Sequence, residues 1–459
     1  MNRKMVLMKD LIHEITMGPF GSDIKVDSFI DDGVPVLNGS NISGVKLTEE
    51  SFRYVSEENA KFLKKANTKR GDIVITHRGT LGQISYIPED STYDNYIISQ
   101  SQFRVTLKKD LVDPIYFTYY FHTNEGQKRL LSFKSHVGVP ALAQATTNFR
   151  LLEFPYRSLI LQKQIAKVLS DLDSKIEINN KINQELEAMA KTLYDYWFVQ
   201  FDFPDPSTSS GQAGKPYKSS GGKMVFNEEL KREIPEGWEI GTLLDIANFQ
   251  NGLACQKYRP INDEFLRVIK IKDMKEGFSE KTEKVRPDVP DKIKIFNGDI
   301  LFSWSASLEV IQWSGGEGAL NQHIFKVTSE KFPKSYYYFE LLNYLQHFKM
   351  QAELRKTTMG HITQEHLKQS RIVIPQIDLI NEIDKIIKPI LNKQVKLNEE
   401  TQKLSELRDW LLPMLMNGQV SVGSASLRGT KQSYNQNENN GLGLVAEGGE
   451  EYKKSLKKK

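Results

Sequence analysis

QKQIAKVLSDLDSKIEINNKINQELEAMAKTLYDYWF, residues Gln162 to Phe198, is the stretch whose reading decides the fold. It holds no Pro and no Gly and is rich in Glu, Lys, Leu, Ala and Gln, so it favours helix. Steps of four and then three residues from Ile165 land on Leu169, Leu172, Ile176, Asn179, Asn183, Leu186, Ala190, Leu193 and Trp197. Such a heptad seam is too long for an ordinary packed helix. It predicts a rod of roughly 50 Å, and a rod with an apolar seam needs a partner.

The partner lies in the same chain. From Leu379 to Met416 the seam recurs at Ile383, Ile387, Ile390, Gln394, Leu397, Thr401, Leu404, Arg408, Leu411 and Leu415. The two stretches align without a gap, Leu161 on Leu379, Lys167 on Lys385, Lys175 on Lys393, Asn180 on Asn398 and Gln184 on Gln402. Asn183 and Thr401 put polar residues at the same layer of both seams, a choice that costs stability and fixes register. Pro389 predicts a break or kink in the second rod. Two unrelated core helices would be the plainer explanation, but the repetition extends beyond them.

Before the first rod, residues Met5 to about Arg157 read as a domain with many short strands. Gly18-Pro19-Phe20-Gly21 is a turn, Val34–Leu37 a buried strand, and Gly71-Asp72 opens the strand Ile73–Ile75. Ile84–Ile87 and Phe103–Leu107 alternate as strands do, Pro114–Leu131 reads as an aromatic helix, and Leu151–Pro155 as a strand. The second half echoes each element at an offset of roughly 220 residues, far longer than solenoid periods. Asn251–Ala254 answers the first turn, Val268–Ile271 the first buried strand, Gly298–Phe302 the Gly71 strand, and Phe325–Val327 the Phe103 strand. An aromatic helix from Ser335, the loop Lys356–His361 and the strand Ile372–Pro375 complete the set. Between the halves, Asp202–Gly222 is dense in Pro, Ser and Gly and predicts an exposed, flexible connector. Its core, Ser207 to Gly214, looks like an insertion. The tail from about Val420 to the final lysines predicts disorder.

Composition bounds the function. The 459 residues suffice for two or three domains. A net charge of +4 carries no global nucleic-acid signature, so a DNA binder would have to concentrate its Lys and Arg locally. One cysteine, Cys255, excludes an internal disulfide framework and a cysteine zinc cluster and suits a reducing cytosol, hence a cytoplasmic location. No apolar run predicts a membrane span, and the N-terminus does not read as a signal peptide. Phosphate-binding and dinucleotide-binding glycine loops, an Asn/Asp-Pro-Pro-aromatic motif, Gly-x-Ser-x-Gly and His-Glu-x-x-His are all missing from the sequence. Pro287-Asp288 and Pro290-Asp291-Lys292 resemble nuclease carboxylate pairs but lack an acidic-x-Lys partner on a strand.

What remains is a binding architecture, and its candidate DNA-reading loops fall at matched places. In the first half they are Asn38, Ser40 and Asn41; Thr76, His77 and Arg78; Gln100 and Gln102; and Lys134, Ser135 and His136. In the second half they are Lys270 and Lys272; Ser303, Trp304 and Ser305; Asn321, Gln322 and His323; and Lys356, Thr357 and Thr358. Amide, basic and hydroxyl side chains of these kinds read base edges and hold phosphates. Matched positions with different residues suit two readers of two different half-sites. An antiparallel rod pair would hold them one or more helical turns of DNA apart, about 34 Å each. Deleting one heptad, Asn179 to Glu185, is expected to shorten the spacer between half-sites without changing them.

The centre of the chain carries a resemblance. Phe198-Val199-Gln200-Phe201-Asp202-Phe203-Pro204, then Gly214-Lys215-Pro216-Tyr217-Lys218-Ser219-Ser220-Gly221-Gly222, then Ile234-Pro235-Glu236-Gly237-Trp238-Glu239, resembles the central region of type I restriction-modification specificity (S) subunits. The helices at Gln162–Phe198 and Leu379–Met416 resemble that family's two spacer regions. The likeness covers the chain to about Gly418; the Ser207–Gly214 insert and the tail depart from it. It implies an α+β fold: two target-recognition domains, mixed α/β with many strands, separated by two long antiparallel coiled-coil helices in a pseudo-twofold internal repeat. The expected boundaries are 1–157 and 234–375 for the recognition domains, 158–200 and 376–418 for the spacer helices, 201–233 for a linker and 419–459 for the tail. The spacer seam would run through Ile165, Leu169, Leu172, Ile176, Leu186 and Leu193, and through Ile383, Ile387, Ile390, Leu397, Leu404 and Leu411. The resemblance further implies a non-catalytic subunit that binds a split, asymmetric site in double-stranded DNA. It would join two methyltransferase (M) subunits and restriction (R) subunits, with S-adenosylmethionine, ATP and magnesium held by those partners and none by this chain. A fused restriction or methylation enzyme, and a coiled-coil scaffold without DNA contact, are the competing readings.

Overall fold

In the computed structural model, residues 4–20, 23–135, 139–205, 214–354 and 361–422 are described. The chain forms two compact units, one of residues 1–173 and 406–459, the other of residues 174–405. Each is mixed α/β.

In the first unit, a four-stranded antiparallel sheet runs in the order Ile12–Met17, Gln102–Leu107, Ile73–Thr76, Ile84–Tyr86. A five-stranded sheet follows the order Phe29–Ile30, Arg53–Val55, Val34–Leu37, Asn95–Ile98, Asn67–Lys69. Its one parallel pairing sets Val36 beside Ile97. Ile73, Val74 and Ile75 are all fully buried, as a continuous apolar run covered on both faces must be. The strands Lys4–Leu7 and Glu153–Tyr156 pair separately. The expected single aromatic helix is two, Pro114–Phe121 and Asn124–Leu130, because Thr123 caps the second through its hydroxyl. Leu151 ends a short helix, Ala145–Leu151, rather than opening a strand.

The second unit has the order Asn248–Asn251, Ile324–Thr328, Ile300–Ser303, Glu309–Gln312 in one sheet. Its other sheet runs Lys284–Val285, Leu266–Ile269, Gly318–Leu320, Lys294–Ile295, again with one parallel pairing, Val268 beside Ala319. Glu239–Thr242 pairs with Arg371–Ile374.

The two units share their turn chemistry down to single bonds. Gly71 and Gly298 each take a positive φ, 83° and 91°, which favours glycine. The following aspartates each accept a backbone N–H three residues upstream, Lys69 to Asp72 at 3.0 Å and Phe296 to Asp299 at 2.9 Å. Each carboxylate then meets a cation from the neighbouring strand, Arg104 at 3.7 Å and Lys326 at 2.8 Å.

Helix α1 spans Leu159–Tyr194 and closes in a π-helical turn, Asp195–Val199. Helix α2 spans Ile377–Asn417. It passes through Pro389 without a break. Every seam position named above is buried or half-buried, and Arg408 is no exception. Its guanidinium meets Asp173 of α1 at 2.8 Å, and Tyr119 donates to the same carboxylate. Asn183 faces Asn398 at 2.5 Å and takes Gln394 on its carbonyl at 3.3 Å. The Thr401 hydroxyl, aligned with Asn183 by sequence, is buried without a hydrogen bond among the described residues.

The described part of the connector is packed at its start and around Tyr217, and exposed at Pro204, Gly214, Lys215, Lys218, Ser219 and Gly221. Phe201 and Phe203 are buried; Phe203 stacks between Tyr217 and Trp238, at 4.6 and 5.2 Å between ring centroids. Asp202 is tied to Ser219 at 2.6 Å, and Asp205 and Lys215 pair through their backbones. A hairpin, Met224–Asn227 with Arg232–Pro235, continues it. The proposed insert, apart from Gly214, and the tail from residue 423 lie outside the described residues. Among the described residues no helix is long and apolar enough to cross a membrane.

Candidate nucleic-acid interface

Each unit gathers its candidate loops where the strand after the glycine turn ends. In the first unit that strand is Ile73–Thr76. The Thr76 hydroxyl donates to Gln83 at 3.1 Å, and the Gln83 amide donates to the Gly39 carbonyl at 2.8 Å. Gln83 thereby holds the Asn38–Ser40 turn against the strand end.

Three candidates are spent on this framework. Asn41 is fully buried, accepts from the Asn38 N–H at 3.0 Å and donates to the carbonyls of Thr48 and Glu50. Gln102 is fully buried and accepts from the Ser99 N–H at 2.9 Å. Thr76 is 3% exposed. Buried side chains bonded in this way hold the loops in place, although the Gln102 Nε2 is buried with no hydrogen-bond partner among the described residues.

The exposed or half-exposed candidates do come together. The His77 N–H donates to the Ser101 carbonyl at 2.9 Å, and the Leu142 N–H donates to the His77 carbonyl at 2.8 Å. Arg78 bridges to Ala141, which pairs in turn with Ser135. His77, Arg78, Gln100, Lys134 and Ser135 therefore line one edge, with Asn38 and Ser40 joined to it through Gln83. Arg78 is exposed and ion-paired with none of the described residues. The His77 Nε2 lies 3.1 Å from the Gln100 carbonyl. Partial burial, helped by Arg78, holds this imidazole below its ordinary pKa despite that hydrogen bond. His136 lies outside the described residues.

The second unit builds the same seat with other side chains. The Trp304 N–H donates to the His323 carbonyl at 3.3 Å, and the Ile362 N–H donates to the Trp304 carbonyl at 2.9 Å. The Trp304 indole N–H donates to Asn251 at 3.0 Å. The rings of His323 and His361 lie 5.5 and 5.7 Å from the indole. Gln322 reaches His323 at 3.2 Å. Ser303, Ser305 and Asn321 are buried; Ser303 donates to the Ser307 carbonyl at 2.5 Å. They too are built into the loop framework. Lys270 and Lys272 form ion pairs with Glu283 at 2.6 Å and Glu276 at 3.4 Å while keeping surface exposure. Lys356, Thr357 and Thr358 lie outside the described residues. The aspartates of the weak nuclease motif are ordinary surface partners, Asp288 of Arg286 and Asp291 of Lys294.

Gln83, Asn251 and His361 were not among the sequence candidates. Asn251 had a signal: it stands beside the Gly252 that answers Gly18. A Cβ on Gly18 would sit 2.0 Å from the Ser99 carbonyl oxygen, and one on Gly252 would sit 2.1 Å from that of Asn321. Both glycines let one strand press onto the loop that carries Gln100 or Gln322. Cationic, amide and aromatic groups on such an edge can contact phosphates and base edges together.

A family described as the type I restriction modification DNA specificity domain matches the chain twice, over residues 25–188 and 235–408. The MjaIX type I restriction enzyme specificity subunit of Methanocaldococcus jannaschii is 25% identical over 415 residues, covering 87% of this chain and 89% of that protein. The HindI specificity subunit of Haemophilus influenzae is 22% identical over 431 residues, covering 82% and 92%. Among solved structures, the type I restriction-modification S subunit from M. genitalium shares the fold with a TM-score of 0.57 at 15% identity, covering 90% of this chain and 96% of that one.

Proposed function

The chain belongs to the type I restriction modification DNA specificity family, and on that premise we propose that it is the sequence-reading subunit of a type I restriction-modification complex. It binds a bipartite, asymmetric site in double-stranded DNA, one half-site per domain. One observation carries this reading: the family domain matches twice, and the two matched regions build one loop framework with different exposed side chains. Two readers with a shared scaffold and unlike chemistry suit two unlike half-sites.

We read the shared strand pairings and turn bonds as a pseudo-twofold internal duplication, and α1 with α2 as an antiparallel coiled coil that serves as spacer. Support comes from contacts whose numbers run in opposite directions. Asn179 meets Glu400 at 2.9 Å and Asn183 meets Asn398 within one unit. Asp173 meets Arg408, and Arg157 meets the Met416 carbonyl at 3.0 Å, within the other. The chain scaffolds two methyltransferase subunits and the restriction subunits. Methylation and cleavage belong to those partners, which hold S-adenosylmethionine, ATP and magnesium.

Gel shifts of the chain with its methyltransferase subunits test the reading, using duplexes that carry the intact site or one scrambled half. Binding should weaken steeply as salt rises, since phosphate contacts release counterions, and either scramble should abolish the specific shift. A shift indifferent to both scrambles would contradict it. S-adenosylmethionine binding by the isolated chain would favour a fused enzyme instead.

A further inference from the structure

We propose that one ring position selects a base in each half-site: His77 takes a base amino group in the first domain, and Trp304 takes a thymine methyl in the second. The inference rests on the DNA-reading function above and names its selector.

The two rings occupy one seat. Each follows the strand after the glycine turn and is fixed by its own N–H and its own carbonyl. The bonds run to Ser101 and from Leu142 in one case, to His323 and from Ile362 in the other. Each ring leans on the matched strand aromatic, Phe103 at 6.4 Å or Phe325 at 5.9 Å. The preceding residue is buried in both units, Thr76 and Ser303. The next residue, exposed in the first unit as Arg78, is the buried Ser305 in the second. The ring is thus the side chain that this bend offers to the surface in both.

Its chemistry differs. A carbonyl only accepts, so the His77 Nε2 facing Gln100 carries the hydrogen. In a neutral ring the Nδ1 is then an acceptor. In the major groove an acceptor matches the exocyclic amino group of adenine or cytosine. The only polar atom of Trp304, its indole N–H, is already given to Asn251. The half-exposed ring has no donor left to offer and presents apolar surface, the match for the thymine methyl.

The test uses the chain assembled with its methyltransferase subunits, methylating a duplex library randomised through both half-sites. His77→Leu and Trp304→His remove the two chemistries; His77→Gln and Trp304→Phe retain an acceptor and an apolar ring. The first pair should each lose roughly tenfold or more of the preference at one base position of one half-site, leaving the other half-site unchanged. The second pair should keep it. Unchanged preferences in His77→Leu and Trp304→His, or a uniform drop across all sequences, would overturn the selector while the wild type still reads two halves. If a first-pair variant fails to fold, loss of preference in its conservative counterpart overturns the assignment and retention supports it. A wild-type complex without any bipartite preference would overturn the functional reading itself.

Discussion

Glu340 shows how much one carboxyl can report. It accepts from the Tyr194 hydroxyl at 2.8 Å, where α1 meets the helix Lys334–Leu354. Burial pushes its pKa up to about 7 against the lowering effect of Tyr194. The native state therefore holds a proton that the unfolded chain releases from about pH 4.5 upward. Stability falls as pH rises between those values, and the loss is complete above about pH 7. Glu340→Gln removes the penalty: its thermal melt should match wild type near pH 4 and exceed it at pH 8. Equal differences at both pH values would assign the effect to packing. Asp173 is the counterpart in the other unit. Asp173→Ala takes this acceptor from the Tyr119 hydroxyl and leaves the half-buried Arg408 with Asp409 alone, and denaturant unfolding of that unit should show a loss of about 1–3 kcal/mol. The heptad spacing placed Arg408 on the seam. Its partner was invisible, because nothing in a heptad pattern says which carboxylate the fold brings to it.

At the scale of elements, the helices were the most legible part, since the period of apolar residues is fixed by helix geometry itself. Near the start of α1 the buried Gln162 amide closes bonds to Asp113, Leu111 and Arg157. Pro389 lies inside α2 without a break. Its neighbours Ile387 and Leu391 are buried on the seam side, while Pro389 itself is exposed, so the ring sits where packing does not oppose it. The connector was legible only in part. Its Pro, Ser and Gly content masked Phe201, Phe203 and Tyr217, which only become a stack once Trp238 arrives. The loops of the interface were legible as positions but not as roles. Residue type could not separate the exposed Gln100 from the buried Gln102, two residues apart. The polar layer of the helices yields a test. Asn183→Leu with Asn398→Leu replaces an imperfectly paired layer, since the Asn183 side-chain oxygen accepts no hydrogen bond among the described residues. The melting temperature should rise by several degrees, about 1 kcal/mol. Disulfide trapping of Asn179→Cys with Glu400→Cys, clean because Cys255 is buried, should become less selective over neighbouring registers. Undiminished selectivity would deny the layer its register role.

For the whole molecule, we propose that two unlike readers on a shared framework are spaced by paired helices. The deletion must respect that pairing: removing 179–185 from α1 together with the facing 394–400 from α2 takes out one heptad on each side. At 1.5 Å per residue this is about 10 Å, roughly three base pairs at 3.4 Å each. The most direct measurement is a map of methylated adenines produced by the complex, first with the intact chain and then with the paired deletion. The intact complex should mark one motif of two dissimilar halves with a fixed unspecified gap, and the deletion should shorten the gap by about three base pairs while both halves stay the same. An uninterrupted motif, or halves whose bases change when only the helices are shortened, would contradict the account.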